Sequence, residues 1–172
     1  DRRGGTLRAG LSGASAADSW DSRTHRGVFM IAAAQGAVFD CLTEVRADGT
    51  LAGELATDWQ ASSDARVWTF NLRRDVRFHN GKAFEADDVL DSLALHLDRA
   101  ARSPVRPLIE TIRSMQKLSD HQVTFRLHAA NPDFPYLLSD YHLLIYPSGQ
   151  IEEAMRHGIG TGLYRVDRFE PG

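Results

Sequence analysis

Between residues 65 and 101 the hydrophobic period of this chain changes once, from two to about 3.6. In "ARVWTFNLRRDVRF", residues 65–78, Trp68, Phe70 and Leu72 alternate with Thr69, Asn71 and Arg73. Successive strand residues point to opposite faces, so this pattern gives a strand with one apolar face. Asn80-Gly81 marks a tight turn. In "ADDVLDSLALHLDRAA", residues 86–101, Val89, Leu90, Leu93, Ala94 and Leu97 fall on one helical stripe. Asp87 and Asp88 complement the positive end of that helix's dipole, and Pro104 and Pro107 forbid its continuation. A strand tied by a short turn to an amphipathic helix has to bury both apolar faces in a shared core.

The remaining segments fit that core without a regular rhythm. "TLRAGL", residues 6–11, reads as a short strand, and a loop rich in Ser, Gly and Asp follows. Val28, Ile31, Ala32, Val38, Phe39 and Leu42 predict an amphipathic helix over 28–42. Asp48-Gly49 marks a turn. Residues 112–128 read as two strands around Ser119-Asp120-His121, with Val123, Phe125 and Leu127 on one face. "NPDFPYLLSD" is a turn with a short helix, "HLLIYP" (142–147) a buried strand, and "IEEAMRHG" a short helix ending at Gly158. "GLYRVDRFEPG" reads as a returning strand with Tyr164, Val166 and Phe169 inward, and "FEPG" ends as if more chain should follow. No repeat is visible, and the expected class is mixed α/β (α+β).

With 172 residues, 42% of them hydrophobic and 25% charged, the chain has the composition of an ordinary globular protein. Its net charge is -3 and its twenty Lys and Arg are scattered, which argues against nucleic acid as a partner. A single cysteine, Cys41, excludes an intrachain disulfide and reads as a small buried filler. No segment approaches the roughly 20 apolar residues needed to span a bilayer. "DRRGGTLRAG" lacks the apolar stretch of a secretory signal, so the expectation is a cytosolic chain or an exported one whose signal has been removed.

Candidate chemistry is sparse. His79, Asp87 and Asp88 lie close in sequence, but adjacent helical residues point about 100° apart and do not make a facing pair. The two aspartates instead suit the orphan N–H groups of a first helical turn. The seven histidines form no HxxxH, HExxH or HxH pattern, and five or more are expected at the surface or in hairpins. Ser12 in "GLSGAS" precedes a loop rather than a helix, unlike a nucleophile elbow. "GTLRAG" lacks the Lys-Ser/Thr pair of a P-loop, and "GIGTG" follows a helix instead of opening one. Two glycine-bearing loops remain, Ser12-Gly13 and Gly160-Thr161-Gly162, with Trp20, Asp21, Phe39 and Tyr164 nearby in character. Such loops let a ligand's main chain approach closely, or they are plain turns.

Residues 51–93, "LAGELATDWQASSDARVWTFNLRRDVRFHNGKAFEADDVLDSL", closely resemble the signature of the extracellular solute-binding proteins of family 5. The likeness is carried by Leu55-Ala56-Thr57-Asp58-Trp59, Trp68 to Arg73, Val76 to Gly81, Ala86 to Val89, and Ser92. "GGTLRAGLSG" is similar to that family's first strand and "GIGTGLYRVDRFEPG" to its G-T-G-P-Y segment, although Leu163 stands where proline is usual. Gly53 replaces another common proline, and Glu85 a Thr helix cap, which implies weaker capping.

The resemblance implies a type II periplasmic binding fold, with no enzymatic activity, cofactor or metal. The chain would supply the start of the first lobe (1–44), a small inserted subdomain (45–141) and a return to the lobe (142–172). The second lobe would be absent. A peptide or similar solute is implied as ligand, with nickel chelate, haem or sugar as alternatives in the family and a sensing module or hydrolase outside it. Ser12, Gly13, Trp20, Asp21, Phe39, Thr161, Gly162 and Tyr164 would face the cleft, Trp20 walling an apolar group and Asp21 pairing with an ammonium. The 78–89 stretch would lie away from it. The implied location is the periplasm, free or tethered to the membrane, and the implied protein partner is an inner-membrane ABC permease. An uncovered lobe surface would also favour self-association.

Overall fold

The computed structural model describes residues 8–100 and 102–172. Strands β1 (Thr43–Val45) and β2 (Leu51–Gly53) form a hairpin around Asp48-Gly49, where Gly49 takes φ +84°. Strands β3 (Ala56–Ala61), β4 (Val67–Leu72), β5 (Ile112–Ser119) and β6 (Gln122–Leu127) form an antiparallel sheet in the order β3-β4-β6-β5. The alternation in β4 places Trp68, Phe70 and Leu72 inside and leaves Val67, Thr69 and Asn71 half-buried. Trp68 lies opposite Phe125 and Phe70 opposite Val123, so the apolar faces of β4 and β6 are continuous.

The helices are α1 (Val28–Ala34), α2 (Ala86–Ala94), α3 (Arg106–Ile109), α4 (Phe134–Leu137) and α5 (Ile151–His157). Val89 and Leu93 of α2 pack with Phe70, Phe78, Phe84, Phe125 and Phe134 in the larger of two apolar clusters. A second cluster gathers Trp20, Met30, Phe39, Cys41, Leu144, Tyr146 and Ala154. Residues 143–146 run between them: Leu143 and Ile145 enter the first, Leu144 and Tyr146 the second.

Several elements differ from the sequence reading. Residues 8–11 are irregular, and Thr6 and Leu7 lie outside the described residues. The 28–42 helix stops at Ala34, because Gln35 is extended and Gly36 takes φ +74°. Phe39 and Leu42 are buried by the bend that follows. The 86–101 helix ends at Ala94 and continues as a single 3-10 turn, Leu95–Leu97. That tighter turn exposes Leu97 and buries His96. "HLLIYP" is buried and extended but forms no ladder: Ile145 N–H goes to Asp40 O at 3.0 Å, and Tyr146 N–H to Ser92 Oγ at 2.8 Å. Residues 162–172 are irregular as well, and Tyr164 points outward. No helix among the described residues is long and apolar enough to cross a membrane.

Candidate functional site

The "GIGTG" segment is a packed junction. Gly158 ends α5 in the left-handed conformation, φ +68°, which a glycine adopts without a Cβ clash. The chain then crosses the bend at 37–40. Gly162 N–H donates to Val38 O and Tyr164 N–H to Ala37 O, both at 2.9 Å, and Thr161 Oγ1 donates to Asp40 Oδ2 at 2.7 Å. A Cβ on Gly160 would lie 2.0 Å from Val38 O, and one on Gly162 would lie 2.4 Å from Ala37 O. These glycines therefore let two chain segments touch, and their bare faces are occupied by protein.

The same loop is held from its other side by His79. Its backbone N–H donates to Gly160 O at 2.9 Å, its Nε2 lies 2.8 Å from Gly162 O, and Gly160 N–H points at its Nδ1 at 3.3 Å. The 78–89 stretch, expected to lie away from the cleft, thus reaches the 160–162 loop through His79. The aspartates behave as helix-start residues. Asp88 is fully buried; its Oδ1 accepts from Lys82 Nζ at 2.6 Å and Ser148 N–H at 2.7 Å, and its Oδ2 accepts from Glu85 N–H at 2.7 Å. Asp88 thus bonds the N–H of the cap residue, whatever the loss of a Thr at position 85. Asp87 pairs with Lys117 at 2.7 Å. Among the described residues no group of three or more His, Cys, Asp or Glu is placed to hold a metal ion.

Beneath the loop lies a carboxyl pair. Glu54 accepts Cys41 N–H at 2.6 Å, and burial, followed by the charge of Asp40, pushes its carboxyl up to about 8. Burial also pushes the Cys41 thiol well above its usual range, which suits an unreactive filler. Three histidines are buried rather than superficial, His25, His96 and His142. His142 bridges Asp140 Oδ1 at 2.7 Å and His25 O at 3.0 Å, and burial lowers His96 to about 4, which keeps it neutral.

The eight residues singled out from sequence fall into distinct places. Thr161, Gly162 and Tyr164 share the loop, and Tyr164 is 62% and Leu163 91% exposed, so an apolar rim stands in solvent. Ser12 is exposed, and Gly13, at φ +92°, sits over the start of α1. No hydrogen bond among the described residues joins that turn to the 160–162 loop. Trp20 is buried, with ring centroids 4.7 Å from Phe169 and 6.1 Å from Phe39, so it is core and not a cleft wall. Phe39 is fully buried against Tyr146. Asp21 is already paired, accepting from Arg23 Nε at 2.9 Å and Nη2 at 2.8 Å, so it offers no free charge to an ammonium. Concavities of about 220 to 510 Å³ occur elsewhere on the chain, and none is lined by any of these eight residues. Sequence reasoning missed His79 and Asp40 as holders of the loop. Their contacts span 83 and 121 positions, beyond the reach of any local pattern.

The description "Bacterial extracellular solute-binding proteins, family 5 Middle" matches residues 50–172. The nickel-binding periplasmic protein of Escherichia coli K12 is 34% identical over 104 residues, covering 60% of this chain and 20% of that protein. The HTH-type transcriptional regulator SgrR of Yersinia enterocolitica is 32% identical over 134 residues, covering 76% of this chain and 23% of the regulator. Among solved structures, the ABC transporter-associated periplasmic binding protein DppA of Helicobacter pylori, in complex with the peptide STSA, superposes with a TM-score of 0.78 at 26% identity. That match covers 92% of this chain and 36% of DppA. The chain is thus a mixed α/β portion of a periplasmic binding protein fold, and it spans about a fifth to a quarter of the length of these curated relatives.

Proposed function

Because the chain belongs to the bacterial extracellular solute-binding proteins of family 5, we propose that it supplies one wall of a solute-binding cleft and performs no chemistry. The observation that carries this is the 160–164 loop: its backbone is fixed from two sides, while Leu163 and Tyr164 stand in solvent. Ligand sites are concave and bury most of their ligand, so a hydrogen-bonded loop with an open apolar rim suits one wall of a site that another lobe completes. The solute is a peptide held largely through main-chain hydrogen bonds, which tolerate varied side chains. Ser12, Gly13 and Tyr164 meet it; Thr161 and Gly162, whose hydroxyl, N–H and C=O are taken up by Asp40, Val38 and His79, hold the loop in place, and buried Trp20 and Phe39, with the half-buried, Arg23-paired Asp21, support them. A second lobe completes the cleft and closes over the solute. The division at 44/45 and 141/142 belongs to this reading: the larger apolar cluster lies mostly within 45–141, with Leu42, Leu143 and Ile145 joining it from outside, and the smaller gathers residues on both sides of that segment. A periplasmic location and delivery of the solute to an ABC permease belong to this reading as well.

A nickel chelate is the second reading, favoured by the 34% identity to a nickel-binding relative. A solute-sensing role in a regulator is the third, favoured by the likeness to SgrR. Isothermal titration of the 172-residue chain with tri- and tetrapeptides is expected to give no dissociation constant tighter than about 1 mM. Micromolar binding by this chain alone would overturn the half-cleft reading. Mass spectrometry of the small molecule carried by native protein containing this segment separates the solutes: a peptide supports the first reading, a nickel chelate the second.

A further inference from the structure

We infer that His79 is the positioning residue of the 160–162 loop and acts as the neutral imidazole with its proton on Nε2. This rests on the reading of that loop as part of a solute-binding wall, and it names the side chain that sets the wall's shape. Three contacts assign the role. His79 N–H holds Gly160 O at 2.9 Å, Nε2 meets Gly162 O at 2.8 Å, and Nδ1 faces Gly160 N–H at 3.3 Å. A carbonyl accepts only, so the ring nitrogen facing Gly162 O has to carry hydrogen. An N–H donates only, so the nitrogen facing Gly160 N–H has to be bare. One tautomer satisfies both. The protein around the ring fixes it in turn: Phe78 is buried in the larger cluster, and Gly81, at φ +90°, closes the turn with its N–H on Phe78 O at 2.8 Å. On the far side the loop meets Ala37 and Val38 through backbone alone and Asp40 through Thr161. His79 is therefore the side chain that couples the strand-turn-helix unit to the loop.

The test needs no solute, so its failure is distinct from failure of the binding proposal. Amide hydrogen exchange is measured by NMR on the 172-residue chain as wild type, His79→Ala and His79→Gln. The Gln amide keeps a donor near the position of Nε2. Gly162 and Tyr164 N–H, which report docking onto Val38 and Ala37, are expected to exchange roughly tenfold faster in His79→Ala, as fits loss of a net hydrogen bond or two. Phe70 and Val123 amides in the sheet are expected to keep wild-type protection, and His79→Gln to recover most of the loop's. Long-range proton–nitrogen correlation of the wild-type ring is expected to show hydrogen on Nε2. Unchanged exchange at Gly162 and Tyr164 in His79→Ala overturns the inference, as does an Nδ1–H ring in the wild type. Should His79→Ala fail to fold, the wild-type tautomer and His79→Gln decide the matter: an Nε2–H ring with near-native loop exchange in His79→Gln supports the inference, and any other result overturns it.

Discussion

Gly160→Ala is the most direct probe of how the 160–164 loop is built. The added methyl carbon would sit 2.0 Å from Val38 O and 2.7 Å from Phe39 Cδ1, whereas ordinary contact begins near 3.4 Å. The obstructing atoms are a carbonyl and a fully buried ring, so neither yields by a rotamer change. The two segments have to part by more than an ångström, which breaks Gly162 N–H to Val38 O, Tyr164 N–H to Ala37 O and Thr161 Oγ1 to Asp40. At about 1 kcal/mol net for each hydrogen bond, the expected destabilisation is roughly 3 kcal/mol. That agrees with the roughly 1–3 kcal/mol typical of overpacking a dense site. Urea unfolding followed by tryptophan fluorescence measures it, with Trp20 in the affected cluster. Gly10→Ala is the control: a Cβ there meets nothing within 4 Å, and stability should stay within about 0.5 kcal/mol of wild type. A Gly160→Ala protein equally close to wild type would show that the tight backbone approach at Val38 does not exist in solution.

Two further outcomes follow from buried carboxyls. Glu54 keeps its proton in the folded chain up to about pH 8, against 4.5 for an ordinary Glu, so its contribution to stability is complete below pH 4.5 and is lost as pH rises through about 8. Glu54→Gln mimics the protonated form, so thermal melts from pH 5 to 9 should show the variant gaining about 1–3 kcal/mol over wild type at the alkaline end; parallel curves would refute the assignment. Asp88→Asn sets an amide N–H₂ against at least one donor, Glu85 N–H or the Lys82 and Ser148 pair. It should cost about 2–4 kcal/mol by chemical denaturation, and a neutral result would mean that the carboxylate is not holding the start of α2.

Local chemistry explains how much of this was legible in the sequence. The alternation of Trp68, Phe70 and Leu72, the turn at Ser119-Asp120-His121 and the stop at Gly158 are written within a few residues, and the fold follows them. The 28–42 helix misled because Val38, Phe39 and Leu42 are buried by a bend at Gly36, while within the helix Met30 and Ala34 are buried and Val28, on the expected stripe, is exposed. "HLLIYP" misled for another reason: two cores, one on each side, reproduce the composition of a buried strand without giving it a ladder. At the site, the glycines at 160 and 162 signalled a close approach, but not whether ligand or protein approaches. That depends on Val38, Asp40 and His79, which are remote in sequence. Trp20 and Phe39 look like cleft aromatics by type, and only packing shows that they are enclosed.

The bond from Ile145 N–H to Asp40 O has a consequence for assembly. It brings the two ends of the intervening segment together, so the four-stranded sheet and its helix can order as one body with entry and exit side by side. The later union of Val38 with Gly162 then spans only a short free stretch in place of the whole segment. By the logarithmic scaling of ring formation this removes about 1.5 kcal/mol of chain entropy from closing Val38 onto Gly162 whenever the Ile145–Asp40 contact is already made.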